Sequence, residues 1–517
     1  MKPIHYRDHL IVPADPRISV MVPHAKSFIS DGQAMMLVPH KVDETQVLRN
    51  LGYEVQPPVM LGYDWRGTTP FDAQRITTAL ITTHKRSYVF NGLGTGKTRA
   101  ALFAYDYLKK TTPGYGKLLV TAPLTTLRQT WEREVAMIFP GLNVAVLHGS
   151  KAKRLKELNS GADVLVINHD GVETIIDELL AFAPMIAMAV LDELSVYKNA
   201  KTEMWKKTSA LVQRIDRVTG LTGTPMPTAA TDAYGQVKMI TPEALRSLSF
   251  TKFRESVQTK VTDFRWVNKR DATDRVFAMM KPAVRFTRDE CYDMPPCQMI
   301  TRKAVLSEDA RRAVLMLQDQ GAIEKLNIKA VNGADVINKS LQVALGVVYD
   351  QDRNEVEFDV SSRLELLDEA IQQSASKVIV FTPYKSSLKR LVAHVAKSHT
   401  CDFVSGDVGN TKREQIFTRF MHSPDPQVLL AHPECMSHGL TLTEASTIVW
   451  WGPPQSLETF EQANGRITRA GQKHSQLILM LVATKVEEKI FKTLERRGNV
   501  QQLLLDMFEA QDLGDLS

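Results

Sequence analysis

Cysteine is scarce. The 517 residues hold four, Cys291, Cys297, Cys401 and Cys435, and no two of them make a Cys-x-x-Cys pair. That spacing argues against a zinc site or a disulfide framework and for a reducing compartment. Long apolar runs are missing as well, and none reaches the roughly 20 residues needed to cross a bilayer. The N-terminal Met-Lys-Pro-Ile-His has no apolar signal core. The expected location is therefore cytoplasmic, with no membrane partner. No internal repeat and no low-complexity tract interrupts the chain.

What is there is ordinary in bulk. Hydrophobic residues make up 44% and charged residues 24%, the balance of a soluble globular protein. The length exceeds what one hydrophobic core supports, so two or three domains are expected. The formal net charge of +6 permits a polyanionic partner without requiring one.

The chain is organised around Asn91-Gly92-Leu93-Gly94-Thr95-Gly96-Lys97-Thr98. An apolar run at 87–90 enters it and a helical pattern at 100–108 leaves it. Strand, glycine-rich turn and helix together are the context of a phosphate-binding P-loop. Gly92, Gly94 and Gly96 let backbone N–H groups turn inward, and the helix N-terminus points its positive end at the same spot. Lys97 then reaches β- and γ-phosphates, and the Thr98 hydroxyl can ligate Mg²⁺. Asn91 stands where the usual pattern begins with glycine.

Residues 1–66 form a small mixed segment. Leu10–Val12, Ile18–Val22 and Met35–Val38 read as strands, and Asp43 to Leu51 as a helix stopped by Gly52. No chemistry is visible in it. Over 67–243, strands at 87–90, 117–122, 144–148, 164–168, 187–191 and 217–222 alternate with helices. That alternation predicts a parallel sheet covered on both faces. Such sheets bind ligands beyond their C-terminal strand ends. Asp192-Glu193 follows one strand there, placing one carboxylate beside the P-loop Mg²⁺ and a second where it can polarise water. Leu221-Thr222-Gly223-Thr224-Pro225 follows another. Its hydroxyls could link the γ-phosphate region to a neighbouring domain, or it is a plain turn.

Residues 244–360 read as a helical, partly basic inter-domain region. Lys252, Arg254, Lys260, Arg265, Lys269 and Arg270 interleave with Phe264 and Trp266. Core packing under a solvated basic face is the expected role, with base stacking as the alternative. A hairpin is expected over 346–360. A second α/β region covers 361–495, with strands at 377–382, 401–404, 428–432, 447–451 and 476–481. Residues 496–517 read as a C-terminal helix and tail. Within 462–472, Gln462, Arg466 and Arg469 lie four and three apart, so a continuous helix would put them on one face. Two guanidiniums and an amide so grouped suit an anion that gains charge in a transition state.

Taken in order, these motifs resemble the superfamily 2 helicases and translocases, and within them the compact, bacteriophage-type members of the Snf2-like branch. Further stretches match. Gln74 in Pro-Phe-Asp-Ala-Gln lies where the family has its adenine-reading Gln, with Phe71 as a packing partner. Thr121-Ala122-Pro123-Leu124-Thr125-Thr126-Leu127 with Trp131 is similar to motif Ia. Asp192-Glu193-Leu194-Ser195 looks like motif II, although many relatives carry Ala-His at its end. Ser437 to Leu442 looks like motif V, and Gln462 to Gln472 like motif VI. The resemblance spans about 67 to 495.

The resemblance implies two RecA-like domains in tandem, facing each other across ATP. Lys97, Thr98 and Asp192 would hold phosphate and Mg²⁺, Glu193 would act on the attacking water, and Gln462, Arg466 and Arg469 would complete the site. Pro123, Thr126, Thr382, Gly439 and Thr441 would hold nucleic-acid phosphates without reading sequence. The expected activity is ATP hydrolysis driving a helicase or duplex translocase along DNA, single- or double-stranded, with RNA left open as a track. Two alternatives stay open: a remodeller of a protein–DNA complex, and a P-loop ATPase acting on something other than nucleic acid.

Overall fold

Continuous Val-, Ile- and Leu-rich strands have no polar face, so they must be covered by helices on both sides. The computed structural model shows this arrangement twice. It describes all residues except 1, 66–68, 228, 263–265, 289, 292–295, 437–441, 469–471 and 497–517. The chain divides into two compact units, Met1–Tyr292 and Asp293–Ser517.

In the first unit, seven strands among the described residues form one parallel sheet. Across the sheet they are Ala283–Val284, Arg86–Val89, Arg217–Leu221, Ile186–Asp192, Lys117–Ala122, Val164–Asn168 and Val144–Leu147. Side chains alternate between two cores. Leu119, Leu165, Ile167, Ala189 and Leu191 pack on one face. Leu118, Val120, Val164, Val166, Met188 and Val190 pack on the other. The loops after Arg86–Val89, Lys117–Ala122, Ile186–Asp192 and Arg217–Leu221 all leave the C-terminal edge of this sheet, where ligands bind in such folds.

The N-terminal segment is a four-stranded antiparallel sheet, ordered Ile4–Tyr6, His9–Pro13, Gln33–Pro39 and Lys26–Ser30. Its core is Leu10, Val12, Met36 and Val38 against Ile18 and Leu48. Ile18–Val22, expected as a strand, lies instead in and after the helix Pro16–Met21. Asp15 accepts from the Arg17 N–H at 2.9 Å and Pro16 occupies the first turn, both helix-starting signals. The expected helix at 43–51 is Val42–Asn50, and Gly52 follows at φ 90°.

The second unit carries six parallel strands among the described residues: Cys297–Lys303, Gln476–Val482, Ala445–Trp450, Lys377–Phe381, Val428–Ala431 and Cys401–Val404 across the sheet. Two such sheets in tandem are the RecA-like architecture. The stretch 244–360 is divided between the units. Phe253, Val257 and Val276 join the core of the first, whereas Val314, Leu317 and Ile337 join that of the second. The hairpin pairs Val347–Tyr349 with Glu355–Glu357. Both sheets gain an unexpected edge strand. Ala283–Val284 is too short to show a pattern, and Cys297–Lys303 is exposed at every residue.

Candidate functional site

The glycine-rich loop takes the shape its sequence requires. Gly94 and Gly96 stand at φ 79° and 78°, a region glycine enters without steric cost. Gly96 also leaves room for Gln74, because a Cβ there would run into Gln74 Nε2. Gln74 is buried, and its Oε1 accepts the Phe71 N–H at 3.0 Å at the start of the helix Asp72–Thr83. Gln74 is thus placed against the loop, with the Phe71 backbone bonded to it. Lys97 opens the helix Lys97–Thr111 and donates through Nζ to the carbonyls of Asn91 at 2.8 Å and Gly92 at 3.0 Å. Thr95 Oγ1 donates to Gly92 O at 2.8 Å. Leu93 and Thr98 are half-buried.

Asn91 has a structural reason to replace glycine. Its Nδ2 donates to Thr77 Oγ1 at 2.8 Å, and its Oδ1 accepts the Phe286 N–H at 3.0 Å. Gly92 N–H donates to Phe286 O at 2.8 Å. The loop is therefore fastened to the helix of Gln74 on one side and to the segment after Ala283–Val284 on the other.

Asp192 ends the strand Ile186–Asp192 at the same sheet edge. Its Oδ2 accepts the Trp131 indole N–H at 3.0 Å and its Oδ1 accepts the Glu193 N–H at 3.1 Å. Burial pushes its carboxyl above the usual carboxylate range; the Trp131 N–H and the Lys97 charge act the other way. Glu193 stands at φ 51° and ψ 57°, a left-handed conformation that costs a non-glycine residue about 1 kcal/mol or more. Strain of that kind gathers at functional sites. Leu194 then crosses Gly220, where a Cβ would meet Leu194 Cδ2 at 2.5 Å. In the Thr-Gly-Thr-Pro turn, Thr222 is held by Val89 O at 3.0 Å. Its Oγ1 accepts the Thr224 N–H at 3.2 Å.

His169 was not singled out by sequence. It is buried, and its Nε2 donates to Asp192 O at 2.8 Å. Burial lowers its pKa, which favours the neutral ring. A histidine directly after an apolar strand of the same sheet was the available signal.

Of the residues expected to meet nucleic acid, Pro123 and Thr126 form a tight turn in which Thr126 N and Oγ1 donate to Pro123 O at 3.0 and 2.9 Å. Thr382 directly follows the strand Lys377–Phe381. Its buried hydroxyl has no hydrogen-bond partner among the described residues. Gly439 and Thr441 lie outside the described residues, as does Arg469. The expectation of one continuous helix through Gln462, Arg466 and Arg469 is corrected. The helix is Leu457–Asn464, so Arg466 lies beyond it. Gly465, a poor helix former, caps the break. Gln462 Nε2 donates to Glu458 Oε1 at 3.1 Å, and Arg466 is buried. Near the expected basic face, Arg254 stacks on Trp266 at 4.3 Å; Phe264 and Arg265 lie outside the described residues.

A glycine-rich loop and an acidic strand end on one parallel sheet, followed by a second such sheet, define a helicase-like P-loop ATPase. Residues 86–350 match the SNF2-related domain and residues 362–471 the helicase conserved C-terminal domain. The chain belongs to the SNF2-related family. It is 27% identical over 473 residues to protein p41 of Acyrthosiphon pisum secondary endosymbiont phage 1, covering 85% of this chain and 98% of that protein. It is 22% identical over 432 residues to the SWI/SNF-related matrix-associated actin-dependent regulator of chromatin subfamily A-like protein 1 of Drosophila melanogaster, covering 81% of this chain and 53% of that one. The chain thus spans about half the length of this insect relative. Among solved structures, the Sulfolobus solfataricus SWI2/SNF2 ATPase core in complex with dsDNA covers 88% of this chain and 96% of its own. Its TM-score is 0.41 and its identity 19%.

Family membership implies nucleotide binding, typically with a divalent metal, and the residues present fit both. Gly94 and Gly96 hold the loop backbone at positive φ, and a side chain at Gly96 would collide with Gln74. Among the described residues no group of three or more His, Cys, Asp or Glu could hold a metal by itself. Mg²⁺ binds through one or two protein groups and completes its shell with water and phosphate oxygens, and the carboxylate of Asp192 at the C-terminal end of its strand is a ligand of that kind. Among the described residues no helix is long and apolar enough to cross a membrane.

Proposed function

We propose that the protein is an ATP-dependent DNA motor, a helicase or duplex translocase, with 67–243 and 361–495 as its two motor domains. The observation that carries this reading is the placement of Lys97 and the Asp192–Glu193 pair at the same edge of one parallel sheet. Lys97 and the loop N–H groups hold the β- and γ-phosphates. Thr98 and Asp192 hold Mg²⁺, which supplies charge neutralisation at the transferred phosphoryl group. Glu193 orients the attacking water and takes its proton. Gln74 reads the base, and Phe71 packs beside it. Gln462, Arg466 and Arg469 stabilise the charge that develops on the γ-phosphoryl oxygens.

Pro123, Thr126, Thr382, Gly439 and Thr441 contact the phosphates of the track, so binding is salt-sensitive and nearly independent of sequence. The relative named as a regulator of chromatin supports DNA as the track, as does the net positive charge. The test is the steady-state ATPase rate alone, with single-stranded DNA, with duplex DNA and with RNA. Stimulation by DNA is expected, and stimulation by duplex alone assigns translocation without strand separation. Robust turnover indifferent to every nucleic acid refutes the motor.

A further inference from the structure

Trp131 has no part in the reading above, yet its indole N–H donates to Asp192 Oδ2. Both side chains are withdrawn from solvent, Trp131 at 0% and Asp192 at 9% exposure. With Glu193 N–H on the other oxygen, two donors fix the rotation of the carboxylate. The backbone that delivers Trp131 is unusual. It is a single π-helical turn, Leu127–Glu132, continued by the regular helix Arg133–Ile138. Such a turn holds one residue more than an α-turn, and one residue is about 100° of rotation about the axis. That offset decides which side chain faces Asp192.

The same segment is tied at both ends. It begins at the Pro123–Thr126 turn. Beyond the π-turn, Glu134 accepts from Arg99 Nε at 3.1 Å and Nη2 at 3.2 Å, and Arg99 lies in the first turn of the helix that opens with Lys97.

We propose that Trp131 is the positioning residue for the metal-holding carboxylate. Its indole N–H keeps Asp192 in the orientation that receives Mg²⁺ with the nucleotide, and its π-turn links that orientation to the Pro123–Thr126 turn. The proposal rests on the assignment of Asp192 to Mg²⁺. Packing alone does not account for the contact. A phenylalanine would fill the space, whereas a buried indole N–H needs an acceptor, and here the acceptor is the carboxylate assigned to the metal.

Trp131→Phe keeps the ring and removes the donor. Loss of a hydrogen bond to a charged group corresponds to about ten-fold in affinity. The Mg²⁺ concentration at which ADP raises the melting temperature should therefore rise about ten-fold, while ADP binding in EDTA stays as in wild type. Asp192→Asn is measured beside it, alone and combined. In the Asp192→Asn background the phenylalanine should add no further loss. An unchanged Mg²⁺ requirement in Trp131→Phe, or a fully additive loss in the double variant, overturns the proposal. An unchanged requirement in Asp192→Asn overturns the assignment beneath it.

Should Trp131→Phe not fold, indole N–H resonances decide. Of the six tryptophans, one signal should move in Asp192→Asn, and the same signal on adding Mg²⁺ with ADP but not ADP in EDTA. Indole signals indifferent to Mg²⁺ overturn the proposal.

Discussion

The Phe286 N–H donates to the Asn91 side-chain oxygen at 3.0 Å, across 195 residues of sequence. With the Asn91 amide on Thr77, this makes the first position of the phosphate loop a staple between two elements. Asn91→Gly would restore the commoner loop residue and leave the half-buried Phe286 N–H and the buried Thr77 hydroxyl without these partners. Each such loss costs about 1–3 kcal/mol. The first unit should melt lower, and ATP should bind more weakly, in a thermal unfolding series with and without nucleotide. Wild-type stability in that variant would show the staple to be dispensable.

Gly96→Ala should be worse for nucleotide binding than for folding. The new methyl meets the Gln74 amide, and the φ of 78° disfavours any L side chain. Gln74 must then leave the loop. Nucleotide affinity measured by calorimetry should fall. Adding Gln74→Ala should recover part of the lost melting temperature but none of the affinity. Full recovery of affinity would remove Gln74 from the site.

Apart from the edge strands Ala283–Val284 and Cys297–Lys303, the strands of both sheets were legible almost residue by residue, because strands buried on both faces are unbroken apolar runs. Lys117–Ala122 and Val164–Asn168 fall where the pattern put them. What was not legible is tertiary. The Trp131–Asp192 and Asn91–Phe286 bonds join residues 61 and 195 apart and leave no periodicity in either partner's neighbourhood. His169 offered one weak signal, its place directly after the apolar strand Val164–Asn168, and its contact with Asp192 O is tertiary as well. The helix break after Asn464 was hidden for a different reason. Asn464 accepts the Trp450 indole N–H at 2.9 Å, a contact that spacing along the helix cannot show.

Arg363 and Glu487 form a buried ion pair in the second unit, with side chains at 2% and 0% exposure. Arg363 Nη2 donates to both carboxylate oxygens, at 2.8 and 3.0 Å. Glu487 also accepts the N–H groups of Ala483 and Thr484 at 2.8 and 3.0 Å, so it fixes the start of the helix Lys485–Glu495. Glu487→Leu leaves the guanidinium buried without its counter-charge and should cost about 3–5 kcal/mol. Arg363→Met combined with Glu487→Leu should lose less than the two single costs added together. The check is a double-mutant cycle in denaturant, and additive losses would show that the two side chains act independently.

Lys97 and Arg466 should separate binding from chemistry. Lys97 is half-buried and its ammonium donates to the loop carbonyls of Asn91 and Gly92. Lys97→Ala should therefore fold normally and abolish turnover, and wild-type-like turnover would refute the phosphate-loop assignment. Arg466 is 1% exposed, so Arg466→Ala also empties buried volume and should lower the melting temperature. Its informative readout is the split between affinity and rate. ATP should bind within a few-fold of wild type, while kcat falls by roughly 10³ or more, the scale of a guanidinium that acts on the transition state. A variant that instead loses nucleotide binding while remaining folded would show that Arg466 holds the ground state, and the charge-stabilising role would pass to Arg469 or to neither arginine.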